Sequence, residues 1–179
     1  MKISTKKIVL TALMIALVFL ITYLPFLHIP SPIAQGYFNI GDSVIMIAAI
    51  LLGRSSGLAA GALGSALADL LGGYVLFAPF TFIVKGIEGY IVGVIANKKG
   101  EVIPSVIRRI IALIVGAIVM AAGYLFFELT VIRLIDKSLA VAAVVAELPG
   151  NLIQGGVSAV IAYVFVAVLD KTKFIKKLN

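Results

Sequence analysis

The 179 residues are 62% hydrophobic and 13% charged, with a mean hydropathy of +1.19. A soluble domain carries about 25% charged and about 45–50% apolar residues. This composition therefore excludes an ordinary soluble domain and points to a single integral membrane bundle over residues 1–179. The net charge of +7 belongs to cytoplasmic loops rich in Lys and Arg rather than to a nucleic-acid surface, and the absence of cysteine excludes disulfides and thiolate metal sites.

Residues 1–7 carry three lysines and residues 8–27 are apolar, the outline of a signal peptide. Pro25, Phe26 and Leu27 stand where a small-x-small cleavage site would be, so the segment reads as an uncleaved first span. A helix needs about 20 apolar residues to cross the hydrocarbon core. Residues 78–96, 110–127 and 152–169 meet or approach that length. Between the first span and residue 78, an apolar stretch is interrupted at residues 53–57 (Gly-Arg-Ser-Ser-Gly), giving two short crossings over 40–52 and 57–71. The expected fold is therefore all-α, a bundle of six transmembrane helices. With the N-terminus inside, twelve of the fifteen basic residues fall in inner segments, so both termini are expected to be cytoplasmic. Residues 138–146 are apolar enough for a short helix dipping into the outer face.

Small residues recur at helical spacing: Gly57, Gly61, Gly64 and Ala68 in the third span, Ala12 and Ala16 in the first. In lipid such positions let backbones approach closely. They serve packing within the chain, and the Ala12/Ala16 face can also receive a partner helix.

The polar residues gather in the outer half. The first outer loop holds three prolines with His28, Gln35, Tyr37 and Asn39, and Asp42 opens the second span. His28 is expected to be solvated. Ser65 and Asp69 lie one turn apart before a Gly-Gly-Tyr turn ending at Tyr74. The fourth span carries Thr81, Lys85 and Glu88 on one stripe, with Lys85 about 10 Å and Glu88 about 15 Å below its outer end. A charge at that depth needs a partner, a wet cavity or a task. Lys85 and Glu88 can neutralise each other at i,i+3, either as a packed ion pair or while facing a ligand. Tyr124 and Glu128 end the fifth span. Glu147, Asn151, Gln154 and Ser158 follow at helical spacing in the sixth, where Pro149 fits a helix start. Such a start would turn the positive helix end toward an outer chamber.

Enzyme chemistry finds little support. The chain has no Gly-Lys dipeptide and so no P-loop, a single histidine, and no H-E-x-x-H. No catalytic residues, metal or cofactor are expected, although Ser65 with Lys85 leaves a membrane hydrolase as a lesser alternative. A ligand-free structural or assembly subunit is the other.

Ala12-Leu13-Met14-Ile15-Ala16, the stretch from Ser65 to Tyr74, and Pro149-Gly150-Asn151-Leu152-Ile153-Gln154 resemble the substrate-binding S components of energy-coupling factor (ECF) vitamin transporters. The similarity covers nearly the whole chain in size and layout. The resemblance implies a multi-pass protein of a prokaryotic plasma membrane that binds a water-soluble vitamin outside, beneath the first outer loop. It implies delivery inward with a transmembrane coupling (T) subunit and two ATPase subunits, the A-x-x-x-A motif at Ala12 and Ala16 docking on the T subunit. Lys85-Gly86-Ile87-Glu88-Gly89-Tyr90 is similar to members assigned to hydroxymethylpyrimidine or pyridoxine. Tyr37, Tyr74 and Tyr124 suit stacking on such a ring, and Asp69, Asn151 and Gln154 suit hydrogen bonds. Asn39, Asp69, Tyr74, Lys85, Glu88, Asn151 and Gln154 are the expected ligand contacts or the groups behind them. The chain has no tryptophan, which disfavours cation–π capture of thiamine.

Overall fold

A computed structural model describes residues 4–31, 37–97, 105–132, 134 and 141–172. The Ser4 hydroxyl accepts the Lys7 N–H and caps α1, Thr5–Tyr23. The first helix thus ends four residues before the apolar run does, and a single 3₁₀ turn, Pro25–Leu27, follows. Proline at the start of that turn breaks the α-helical ladder. The chain then forms a small antiparallel hairpin, β1 (Ile29–Pro30) with β2 (Tyr37–Phe38), Ile29 opposite Phe38 and Pro30 opposite Tyr37. Gln35 lies outside the described residues.

Helix α2, Gly41–Leu52, has twelve residues, and all but the last are buried. It is apolar all round below Ser43, the pattern of a helix enclosed by others, and α1, α3, α5 and the last helix surround it. Its end is closed by two devices. Gly53 adopts φ +88°, a conformation glycine reaches without steric cost, and Asn97 donates to the Ala49 carbonyl at 2.9 Å.

The break expected over residues 53–57 is therefore Gly53 alone. From Arg54 the path is helical through residue 72: α3 (Arg54–Ala59), a π-helical segment (Ala60–Ser65) and α4 (Ala66–Gly72). The wide turns fall where the chain is squeezed between α1 and α5. A Cβ on Gly57 would lie 2.5 Å from the Gly89 carbonyl, one on Gly61 would strike the Lys85 carbonyl, and one on Gly64 would lie 2.7 Å from Val18. The small-residue stripe is thus used for packing within the chain.

Helix α5 is Ala78–Ala96, with Pro79 in its first turn. Helix α6, Val106–Phe127, is capped by the Ser105 hydroxyl and runs into a π-helical turn, Glu128–Ile132. The last helix, α7, is Val141–Lys171, 31 residues. This corrects two expectations. Residues 141–146 are the opening turns of α7 rather than a separate dipping helix, and 138–140 lie outside the described residues. Pro149 is inside the helix, not at its start, so no helix N-terminus faces the chamber from that point. Neighbouring helices in a bundle can tolerate the backbone bond that such a proline removes.

Among the described residues, four helices are long and apolar enough to cross a membrane, Thr5–Tyr23, Ala78–Ala96, Val106–Val131 and Val141–Lys171, with Gly41–Leu52 a shorter apolar helix among them. Their outward faces carry Leu13, Leu20, Ile83, Ile87, Ile114, Ile118, Val160 and Val164. An apolar exterior over charged and polar buried groups suits lipid as the surrounding solvent. The dry core fills one end of the bundle, where Met46, Ile50, Val92, Ala112, Leu113, Ala162 and Val166 pack together. The other end, under the hairpin, is hollow and polar.

Candidate functional site

The floor of the hollow is built on Lys85. Its side chain is buried and donates to Asp42 at the start of α2, while the nearer Glu88 carboxylate oxygen is 3.7 Å away. Asp42 also accepts from Gln154 Nε2 at 2.7 Å, and Gln154 Oε1 accepts the Asn39 N–H at 3.0 Å. Asn39 Oδ1 in turn accepts the Gly41 N–H at 2.7 Å. One continuous polar chain thus ties α5, α2, α7 and the end of the hairpin together. The Lys85 ammonium also lies 5.3 Å from the centre of the Tyr124 ring, within reach of a cation–π attraction.

The expected pairing is changed by this geometry. Lys85 is answered first by Asp42, and Glu88 is the more distant carboxylate. Glu88 is fully buried and neither of its oxygens has a hydrogen-bond partner.

The wall under the hairpin is aromatic. Tyr37 stacks on His28 with centroids 4.0 Å apart and tilts against Tyr74 at 4.6 Å. Its hydroxyl donates to Asp69 at 2.6 Å. Burial, then the Asp69 carboxylate, pushes the Tyr37 phenol well above its ordinary value, so it remains the donor in that bond at neutral pH. His28 is therefore not solvated: it is half-buried and its Nε2 meets the Thr22 carbonyl. Thr81 and Tyr124 share a hydroxyl–hydroxyl bond of 3.1 Å. On the far side Ser31, beside the hairpin, donates to Glu147 of α7, and Phe38 packs on Gly150, where an added Cβ would enter the Phe38 ring.

These groups line a cavity open at its mouth, in which a few polar groups converge among aromatic side chains, the chemistry of a small-molecule site. Asn39, Asp69, Tyr74, Lys85, Asn151 and Gln154 all border it. Glu88 does not, and lies behind Lys85. Ser65 also borders the space, but the Lys85 ammonium is engaged with Asp42 and Glu88 rather than offered to that hydroxyl. Ala12 and Ala16 are elsewhere, exposed on α1.

The lining also includes groups outside the expected ligand contacts: the hydroxyls of Thr22, Ser65 and Thr81, the phenyl rings of Phe38 and Phe77, and the carboxylates of Glu128 and Glu147. Asp42, behind the lining, carried the same signal as Lys85, a charge on an otherwise apolar helix, here one buried in all but its last residue.

The cavity has aromatic walls for a planar ring and donors and acceptors at its base for ring substituents. Residues 2–171 match the family described as ECF-type riboflavin transporter, S component. A protein of Pyrococcus woesei, described as "Uncharacterized protein in gap 3'region", is 45% identical over 97 residues, 54% of this chain, and the aligned part spans 62% of that relative's length. The family match runs through every helix that builds the pocket, and on it the chain belongs to the ECF-type riboflavin transporter S component family.

Proposed function

We propose that this chain binds a small water-soluble vitamin or precursor of the hydroxymethylpyrimidine or pyridoxine type in the cavity under the hairpin. Delivery to the cytoplasm then takes a T subunit and two ATPase subunits, with residues 1–179 acting as one substrate-binding unit. The observation that carries this reading is the pairing of an aromatic wall, Tyr37 with Tyr74, and a polar base, Lys85–Asp42–Gln154, around one cavity. A single heteroaromatic ring with hydroxyl and ring-nitrogen groups uses both. Asn39, Asp69, Tyr74, Lys85, Asn151 and Gln154 are its contacts, and Glu88 holds Lys85 from behind.

The basic residues favour six crossings of a prokaryotic plasma membrane, the hairpin outside and both termini in the cytoplasm. Exposed Ala12 and Ala16 are the docking face for the T subunit. With Lys85 engaged by two carboxylates, a Ser65/Lys85 hydrolase has no free base, and a cavity lined by converging polar and aromatic groups favours a ligand-binding subunit over a purely structural one.

A second reading, riboflavin, is favoured by the description of the matching family. Purification in detergent, identification of co-purifying small molecules and titration with hydroxymethylpyrimidine, pyridoxine and riboflavin test both. Binding of pyridoxine or hydroxymethylpyrimidine over riboflavin is the expected result. Riboflavin alone would replace the proposed ligand, and no vitamin bound or recovered would defeat the transporter reading.

A further inference from the structure

Gly150 lies inside α7, one residue past Pro149. It has no positive φ, so its backbone angles do not call for glycine, and within a helix glycine is a poor choice beside alanine. What the position lacks is room. A Cβ there would stand 2.4 Å from Phe38 Cζ, 2.7 Å from Cε1 and 3.2 Å from Cε2. The tip of the Phe38 ring is therefore seated on the bare α7 backbone.

The strand that carries this ring is held on both sides of it. Tyr37 donates to Asp69 at 2.6 Å, and the Asn39 N–H donates to Gln154 at 3.0 Å. Ser31, beside the hairpin, donates to Glu147. Glu147, Gly150 and Gln154 fall at i, i+3 and i+7, on one face of α7. The hairpin thus meets the helix along a single line, with Phe38 at its middle. Phe38 also borders the cavity, whereas Gly150 is not among the lining residues.

We infer that Phe38 is the wall that sets the size of ring the cavity admits, and that Gly150 fixes the position of this wall by having no side chain. Carbon atoms pack at about 3.5–4.0 Å, so an alanine at 150 displaces the ring tip by about 1 Å. With its strand anchored on both sides, the ring yields by turning into the cavity, which then takes a smaller ligand. Removing the phenyl does the reverse. Apolar walls of this kind discriminate by about 10- to 200-fold for one methylene. This inference rests on the vitamin-binding reading and adds a substrate property to it: selection by ring size, a single heteroaromatic ring against a fused one, at the seam between hairpin and α7.

The test is titration of the purified full chain and its variants with the single rings pyridoxine and hydroxymethylpyrimidine and with the tricyclic riboflavin. The readout is the ratio of affinities. Phe38→Ala should shift that ratio toward riboflavin at least about tenfold, and Gly150→Ala should shift it toward the single rings by a similar factor. Beside Phe38→Ala, Gly150→Ala should change the ratio by less than about twofold, because the two sites act through one contact. If the wild type binds single rings alone, Phe38→Ala should admit riboflavin. If it binds riboflavin alone, Gly150→Ala should weaken it about tenfold, but not beside Phe38→Ala. Should Gly150→Ala fail to fold, Phe38→Ala decides. Single variants that leave the ratio within about threefold of wild type, or a Gly150→Ala effect that persists without the phenyl, would overturn the inference and leave the vitamin-binding reading in place. Binding of no ring by the wild-type chain would overturn that reading, and this inference with it.

Discussion

Lys85 donates across the α5–α2 interface to Asp42, while Glu88, one turn along its own helix, keeps its nearer oxygen 3.7 Å from the ammonium. The two carboxylates therefore do different work. Removing the closer partner leaves a buried ammonium short of a counter-charge, and breaking a buried pair in that way costs about 3–5 kcal/mol. In Asp42→Asn one acceptor oxygen remains for two donors, so either Lys85 or the Gln154 amide loses its acceptor and faces an NH2 group. Asp42→Asn is expected to lower thermal stability by about 3 kcal/mol and to abolish vitamin binding. Glu88→Gln removes a carboxylate with no hydrogen bond of its own and should cost less than half as much. Thermal unfolding of both variants in one detergent checks the order; equal losses would put Glu88 on a par with Asp42.

Tyr37 joins the hairpin to Asp69 through one hydroxyl. Tyr37→Phe keeps the stack on His28 and Tyr74 but leaves the buried Asp69 without that donor. An unmade bond of this kind costs about 1–3 kcal/mol, so affinity is expected to fall about tenfold with little loss of helical structure. The phenol's pKa is raised on folding, and the sign follows: the neutral form is favoured in the fold. Its contribution is complete below the ordinary tyrosine value near 10 and is lost as pH rises beyond it. The stability difference between wild type and Tyr37→Phe should therefore be flat from pH 7 to about 9.5 and shrink above about 10; a decline starting near neutrality would contradict this account.

Backbone approach, not composition, makes certain glycines indispensable. At Gly57 a Cβ would sit 2.5 Å from the Gly89 carbonyl and 2.6 Å from the Ala49 side chain, whereas at Gly156 nothing lies within 4 Å. Gly57→Ala is expected to destabilise the protein by about 1–3 kcal/mol through forced separation of α3 and α5. Gly156→Ala should be neutral or slightly stabilising. Detergent-resistance assays or thermal melts of the two alanine variants separate them. Similar melting points would mean that the α3–α5 contact is looser than the glycine geometry requires.

The apolar segments were legible because lipid-facing helices leave long hydrophobic runs, and the glycine pair at 53 and 57 marked the turn between two of them. The end of that turn was not legible, because Gly57 serves packing and only Gly53 needs a positive φ. Pro149 reads differently for a related reason: proline at a helix start and proline inside a bundle helix look alike in a sequence, and here the helix already runs from Val141. That polar residues from several helices gather at one end of the bundle was readable from their positions in the sequence. The cavity's wiring was not, since the i,i+3 rule sees only Glu88 beside Lys85, and Asp42 is 43 residues away in sequence. A charge at the first turn of a helix reads as a cap until the whole helix proves to be buried.

Helix α1 is the most open of the four long apolar helices, with 11% of its apolar window buried, and Ala12 and Ala16 are both exposed on it. Thr22, the α1 residue that borders the cavity, lies six positions beyond Ala16, about 9 Å along the helix. Bulk added at 12 or 16 therefore projects away from the cavity and into the space a partner helix would fill. If this face receives the T subunit, Ala12→Trp and Ala16→Trp should each abolish vitamin uptake by the assembled transporter. Affinity in the isolated subunit should stay within about twofold, as for surface changes away from any buried feature. Uptake in cells and titration of the purified subunit read the two effects separately. Parallel loss of binding and uptake would assign Ala12 and Ala16 to the folding of α1 instead, because a surface needed only for docking has no way to weaken a ligand held under the hairpin.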